Sequence, residues 1–345
     1  MRHGKRMRDI ALLAGALLMA TAMVACGDDS GSTTSAGTAG TTTPAEPTQF
    51  TVLVGNPAAY PFFEAYVAVS EGFFADRGLD VEVVPVDGTE GLIQGFAAGL
   101  GDIVFGDLGS YLRPTATDQF HPVAFYLATN SGVFEIVVPG DSDIQAGADL
   151  DGKVIGINSD DDPGAALVRN LNSTLGINTE TLLVGTHLQA LTSFDRGEID
   201  AYAGSLPDIA VLQARGVDLR GVAPVEIRAA NGGSGFWSTR ELMDEKPEAF
   251  KAFVAAVQAA RAFINDDAQN LVDWANAQEP IPEDEMAFNL SLAAALIGLR
   301  PTDVEPVGYI DPATWQMWWD GLVANEVVDA TIGESTDFYT NEFQG

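Results

Sequence analysis

The sequence predicts an α/β protein of two similar lobes, each a mostly parallel sheet flanked by helices. Strand-like and helix-like segments alternate along most of the chain, the pattern of parallel strands joined by crossover helices. Two linked motifs also recur at an offset of 98 residues. Phe96-x-x-Gly99-x-x-Asp102 returns as Phe194-x-x-Gly197-x-x-Asp200, and Gly106-x-Leu108 returns as Gly204-x-Leu206. In each copy a helix ends near a glycine, an aspartate opens a strand, and the strand runs into a glycine-containing loop. Generic α/β punctuation can coincide over three residues. Two matches in one register are read as equivalent βα units.

Taken in order, Phe50–Val54 is a short β-rich run, and Glu64–Arg77 has helical spacing that stops at Gly78, a residue suited to the left-handed position after a helix. Leu79–Val86 alternates as a strand does, with Leu79, Val81 and Val83 on one side. Gly91–Leu100 reads as a helix and Asp102–Phe105 as a strand. Val123–Ala128, Phe134–Val138 and Lys153–Ile157 are further strands, and Pro163–Leu175 is a helix. The remainder is helical in pattern from Glu248 to Leu299 and again around Trp315–Val328. Trp315, Trp318 and Trp319 share one helical face and are expected to pack the C-terminal helices onto lobe one.

The first 25 residues have a different character. Arg2, Lys5, Arg6 and Arg8 precede an apolar run from Ile10 to Ala25. A basic start, a short apolar core and small residues at the cut mark a secretory signal. The run is short for a spanning helix, which needs about 20 apolar residues. Residues 26–49 are almost entirely Gly, Ser, Thr, Ala, Asp and Pro, a composition that buries too little apolar surface to fold and reads as a flexible tether. About 295 residues follow, enough for two lobes of ordinary size. The single cysteine, Cys26, cannot form an internal disulfide, so the fold must rest on its core.

The whole chain has 17 Lys and Arg against 49 Asp and Glu, a net charge of −32. Removing residues 1–25 takes away four basic residues and Asp9, which leaves 13 against 48, or −35. Such a surface repels nucleic-acid phosphates, and no basic stripe is present to bind them. It also stays off an anionic membrane unless tethered.

Several stretches resemble one family. Ala65–Leu79 (AYVAVSEGFFADRGL) continuing into Asp80-Val81-Glu82-Val83 is similar to the solute-binding proteins of ATP-driven importers for sulfonates, nitrate, taurine and thiamine-type pyrimidines. So are Ala97–Asp102, Asp149-Leu150-x-Gly152-Lys153, Gly197–Ala201 and the terminal Tyr339–Phe343. Met23-Val24-Ala25-Cys26 resembles a bacterial lipobox, with Met in place of the more usual Leu.

The resemblance implies cleavage before Cys26, acylation of its thiol, and a lipid-anchored monomer on the extracytoplasmic face of the cell membrane. It implies the type 2 periplasmic-binding-protein clamshell, with hinge crossings between lobes. Lobe one is then 50–138 plus 235–345 and lobe two 139–234, with Val138-Pro139-Gly140 and Asn231–Gly235 as crossings or as simple loops. The implied partners are a small-molecule ligand and the permease of an ABC importer.

Ligands in such sheets sit beyond the carboxyl ends of strands, where helix N-termini point inward. That rule selects Asn56, Tyr60 and Phe62 after the first strand, Thr89 after the second, and Asp107 and Ser110 after the third. It also selects Asn130 beyond Val123–Ala128, Asp160 and Asp161 in lobe two, and Ser205 at the repeat of Asp107. Asp107 is either a turn residue bonding local amides or an acceptor for a ligand N–H or cationic group. Tyr60 and Trp237 are the best candidates for stacking on a planar ligand. Asp162-Pro163 suits a helix start, and the Asp160–Asp162 run lacks the alternate spacing of a calcium loop, so no metal is assigned.

Few basic residues lie in these loops, with Arg113 and Arg169 nearest. A neutral or weakly cationic heteroaromatic such as a pyrimidine-type vitamin precursor is therefore favoured over a sulfonate, taurine or nitrate anion. His121 and His187 have no nucleophile partner, and there is no zinc spacing or phosphate loop. The expectation is a binding protein without cofactor or catalysis. A tethered sensor and an enzyme on the same scaffold stand as the alternatives.

Overall fold

A computed structural model describes residues 46–345, apart from 56–62, 87, 113–120, 130–131, 133, 161–162, 186, 229–232, 299–305, 325–327 and 345. Cys26 and the signal and tether segments lie outside the described residues. Among the described residues no helix is long and apolar enough to cross a membrane.

The first sheet begins with β1 (Thr48–Val54), whose inner residues Phe50, Val52 and Val54 are buried. α1 (Phe63–Ser70) is shorter than its helical spacing suggested: the chain turns at Gly72 (φ 77°), and a 3-10 turn over Ala75–Arg77 is closed by Gly78 at φ 74°. That left-handed backbone carries no steric penalty in glycine. β2 (Leu79–Pro85) pairs parallel to β1 with Thr48 opposite Leu79, burying Leu79 and Val81 and exposing Asp80 and Glu82. α2 (Gly88–Ala97), β3 (Ile103–Asp107), α3 (Leu108–Leu112) and β4 (Pro122–Thr129) follow.

The second sheet contains β5 (Phe134–Pro139), β6 (Val154–Ile157), α4 (Pro163–Leu175), β7 (Glu180–Leu183), α5 (His187–Asp195), β8 (Ala201–Ser205), α6 (Leu206–Ala214), β9 (Leu219–Gly221) and α7 (Val225–Arg228). The chain then returns to the first sheet as β10 (Ser234–Thr239). The strand orders are β2-β1-β3-β10-β4 and β7-β6-β8-β5-β9. Each sheet has four parallel strands and one antiparallel strand, β10 or β5, in the same place.

The chain changes sheet between Thr129 and Phe134, and again between Gly221 and Ser234. The first change comes earlier than the expected Val138-Pro139-Gly140. Pro139 is the last residue of β5 and pairs with Leu219, and Gly140 donates its N–H to Asp218 O at 3.0 Å. A Cβ on Gly140 would overlap the Asp218 carboxylate. The Pro-Gly pair therefore ends a strand of the second sheet.

The sequence repeat is a repeat of bonding. Gly99 (φ 72°) and Gly197 (φ 64°) each close a helix by donating to Phe96 O and Phe194 O, both at 2.9 Å. Asp102 Oδ2 accepts the Thr51 N–H at 2.8 Å, and Asp200 Oδ2 accepts the Val154 N–H at 2.9 Å. Each aspartate backbone N–H returns to the carbonyl of that same residue at 2.8 Å. One carboxylate thus fastens β1 to the start of β3 in the first sheet, and another fastens β6 to the start of β8 in the second.

The C-terminal helices complete the core. α8 (Arg240–Glu245) is followed by α9 (Pro247–Asp266), which lays Phe250, Phe253, Val257 and Ile264 in a buried stripe against α1 and the first sheet. The Phe253 ring meets Phe50, Phe125 and Phe236 edge-on, the arrangement aromatic quadrupoles favour. α10 (Ala268–Gln278) leads to α11 (Met286–Gly298), which packs against α6, so the tail also reaches the second sheet's helices. α12 (Pro312–Ala324) buries Trp315, Trp318 and Trp319 in a separate cluster with Trp237 and Phe338. The outer strand β4 is covered by the tail: Thr340 N–H donates to Ala124 O (2.8 Å), and Leu127 N–H to Gly308 O (2.9 Å), which protects an otherwise open edge.

Candidate functional site

The two equivalent strands β3 and β8 end in matched turns into helices. Asp107 closes β3. Its Oδ1 accepts the Ser110 N–H at 2.9 Å and its Oδ2 accepts the Ser110 hydroxyl at 2.6 Å. Ser205 closes β8. Its hydroxyl donates to Asp208 Oδ2 at 2.8 Å and accepts the Asp208 N–H at 3.3 Å. Ser205 has extended backbone and caps α6, with Pro207 in the first turn, a favoured helix start.

The glycines before these turns permit close packing. A Cβ on Gly106 would overlap the Tyr111 ring, and one on Gly204 would overlap Tyr202. Tyr202, the second residue of β8, donates its hydroxyl to Asn158 Oδ1 at 2.7 Å, just past the end of β6. Tyr111 is held against Trp237, with ring centroids 5.5 Å apart. Burial, and then the nearby Asp107 carboxylate, push the Tyr111 hydroxyl's pKa well above its ordinary value.

Each turn lies beside a change of sheet. In the ladders Asp107 stands opposite Ser234, the first residue of β10, and Ser205 stands opposite Phe134, the first residue of β5. Leu108 N–H donates to Gly233 O at 3.1 Å, and Ser234 N–H to Thr129 Oγ1 at 3.0 Å. A side chain at Gly233 would run into Thr129 O. The first turn of α3 is therefore bonded to the second crossing segment, whose end at Ser234 is bonded in turn to Thr129 at the start of the first.

One buried and one partly buried ion pair lie on the elements that adjoin the first crossing. Arg261 on α9 meets Glu64 on α1 at 2.7 Å and donates to Ala128 O at 3.1 Å. Both side chains are almost fully buried. Arg228, at the end of α7, meets Glu135 on β5 at 2.7 Å. Desolvation lifts the Glu135 pKa to about 7, against the lowering effects of the Arg228 charge and of the Ile136 and Ala223 N–H groups.

Of the residues selected from sequence, Asp107 and Ser110 are bonded to each other, and Ser205 occupies the matching turn. Asp160 is exposed after β6, and its carbonyl accepts Arg169 Nη1 at 3.1 Å. Trp237 is 1% exposed in the core beneath the first turn, where its indole N–H donates to Gly106 O at 3.0 Å. The expectation of an open stacking face at Trp237 is therefore corrected: Tyr111 and Trp315 cover the ring, and it supports the Gly106 turn from behind. Asn56, Tyr60, Phe62, Asn130 and Asp161 lie outside the described residues, as does the side chain of Thr89 in the first turn of α2.

The sequence reading missed Glu64, Arg261, Glu135 and Arg228. A signal was present for two of them: Arg261 interrupts the apolar stripe between Val257 and Ile264, and Glu135 interrupts the run Phe134–Val138. Charges at such positions are rarely buried unless paired. Among the described residues no group of three or more His, Cys, Asp or Glu side chains is placed to hold a metal ion.

A family model described as NMT1/THI5 like matches residues 61–270. No curated protein matches the chain. Among solved structures, the periplasmic aliphatic sulphonate binding protein SsuA from Escherichia coli is 14% identical, with a TM-score of 0.64, over 86% of this chain and 99% of that one. The periplasmic nitrate-binding protein NrtA from Synechocystis PCC 6803 is 14% identical, with a TM-score of 0.55, over 86% and 87%. The desulfurization enzyme DszB is 18% identical, with a TM-score of 0.55, over 85% and 97%. At these identities the likeness is one of fold, that of the type 2 periplasmic binding proteins.

Proposed function

The chain belongs to the NMT1/THI5-like family, and from that premise we propose that it is the extracytoplasmic solute-binding component of an ABC importer. The two sheets serve as the two lobes, and the segments between Thr129 and Phe134 and between Gly221 and Ser234 serve as hinges. Solute is held where the Asp107–Ser110 and Ser205–Asp208 turns face a shared cleft, and the membrane permease reads the closed form. Signal cleavage leaves Cys26 acylated and the monomeric protein tethered by residues 26–49.

The observation that carries this reading is the paired arrangement of the turns. Each stands at the carboxyl end of an equivalent strand and opposite the first residue of a crossing strand. A ligand that contacts both turns favours the conformation that brings them together, and closure follows from that differential affinity.

The solute class is a neutral or weakly cationic heteroaromatic of the pyrimidine-precursor type. Helix N-termini usually attract anions through their free N–H groups and dipole. Here the Ser110 N–H of α3 is already taken by the Asp107 carboxylate, and the Asp208 N–H of α6 by the Ser205 hydroxyl, which itself donates to the Asp208 carboxylate, so a carboxylate stands at each turn. A sulfonate or nitrate would have to approach both. The buried cation Arg261 is paired with Glu64.

Import of sulfonate- or nitrate-type anions is the second reading, favoured by the SsuA and NrtA likenesses. The likeness to DszB keeps catalysis as a reading of another class. No residue from 46 to 345 is a cysteine, so thiol chemistry has no nucleophile in the folded part. The test is mass spectrometry of small molecules released from the purified mature protein, followed by incubation with the compound found. Release of an unaltered pyrimidine supports the proposal. Release of a sulfonate, or turnover of the compound, counts against it.

A further inference from the structure

We propose that a cavity between α1, α10 and α11 is a second binding site, for a small neutral aromatic molecule. It is a partly open pocket of about 210 Å³ lined by Phe63, Trp274, Ile281, Leu292 and Leu296 among other apolar residues, with Asn289 as the one polar side chain among the described residues that line it. None of Asp107, Ser110, Ser205 or Asp208 lines it. The site is separate from the twin turns and does not depend on what they bind.

The chemistry of the lining sets the class of guest. Among the described residues no charged side chain lines the space, so an ion there finds no described counter-charge to replace its hydration. A dry cavity of about 150 Å³ lined by aliphatic and aromatic side chains holds a benzene-sized molecule. The volume here suits one ring with a short substituent. Phe63 and Trp274 stand edge-to-face at 5.7 Å and 66°, offering edges and faces of the kind an aromatic guest packs against. Asn289 Nδ2 donates to Glu285 O at 3.0 Å, which leaves Oδ1 to accept a hydroxyl or N–H from the guest.

An independent observation concerns α11. Of its 13 residues only Asn289 and Ser291 are polar, yet only Ala293 and Leu296 are buried, and Leu290 is 38% exposed. A helix apolar on every face is normally enclosed. α11 carries more apolar surface than its neighbours cover, and the cavity lies along it.

The test titrates toluene and phenol into the mature protein by ligand-observed NMR, with Ala275→Phe and Ala293→Phe to fill the space. Saturable binding of both probes is expected, phenol the tighter. Each filling variant is expected to weaken it at least tenfold, while Asp107→Asn and Ser205→Ala leave it unchanged. Ala275 is half-exposed, so its variant carries the test if Ala293→Phe does not fold. Absence of saturable binding, or equal binding by Ala275→Phe, overturns the proposal. Loss of binding in Asp107→Asn or Ser205→Ala also overturns it, by placing the probes at the twin turns.

Discussion

Asp107 and Ser205 hold the same position in the two sheets with opposite polarity. Asp107 accepts two hydrogen bonds from Ser110, whereas Ser205 donates its hydroxyl to Asp208. Each turn joins one carboxylate to one hydroxyl, with the acid at the first position in one sheet and at the fourth in the other. On the proposed function, a ligand between them meets oxygen acceptors from both sides.

Ser205 also starts a nine-residue helix. Ser205→Ala removes its cap and is expected to cost about 1 kcal/mol in urea denaturation. Ser205→Asp keeps an acceptor for the Asp208 N–H but sets two carboxylates together. It is expected to recover little of that loss above pH 6.

Asp102 and Asp200 are expected to behave as equals. Asp102→Asn and Asp200→Asn each replace a charged acceptor of a strand N–H with a neutral one. Each should lower stability by about 1–2 kcal/mol. The sites share no partner, so the double variant should lose the sum to within about 0.5 kcal/mol. A thermal or urea series measures this.

The buried Glu64–Arg261 pair should show strong coupling. Glu64→Gln alone leaves the guanidinium without its counter-ion and should cost about 3–5 kcal/mol. Combining it with Arg261→Met removes the orphaned charge and should restore much of the loss. A double-mutant cycle in urea reads the coupling.

Glu135 gives a pH dependence of known sign. Its folded pKa of about 7 lies above the ordinary 4.5, so the folded protein binds this proton more tightly than the unfolded chain does. The stabilisation is complete below about pH 4.5 and is lost as pH rises through about 7, to an extent on the order of 3 kcal/mol. Glu135→Gln should flatten the stability difference across that window, measured by unfolding at pH 5 and pH 8.

Much of the frame was legible because it rests on local rules. A left-handed glycine and a strand-opening aspartate are chemically specific, and so the repeat at Gly99-Asp102 and Gly197-Asp200 could be seen and proved to be structural. The helix Pro163–Leu175 was also readable end to end, from its proline start and its spacing. What could not be read depends on distant partners. Glu64 and Arg261 are 197 residues apart. The change of sheet near Thr129 is decided by which strand β5 pairs with, and Pro139-Gly140 only marks where that strand ends. Trp237 follows a glycine-rich segment and reads as a loop residue near the cleft edge, but it lies inside β10, where Tyr111 and Trp315 enclose it.

Calorimetric titration of the mature protein with a panel of pyrimidine precursors, alkanesulfonates and nitrate, repeated on Asp107→Asn and Ser205→Ala, tests the central claim most directly. A pyrimidine should bind, with affinity reduced at least tenfold by each substitution, and the anions should not bind. Tight binding of a sulfonate or nitrate, or pyrimidine binding that neither substitution alters, would contradict the account.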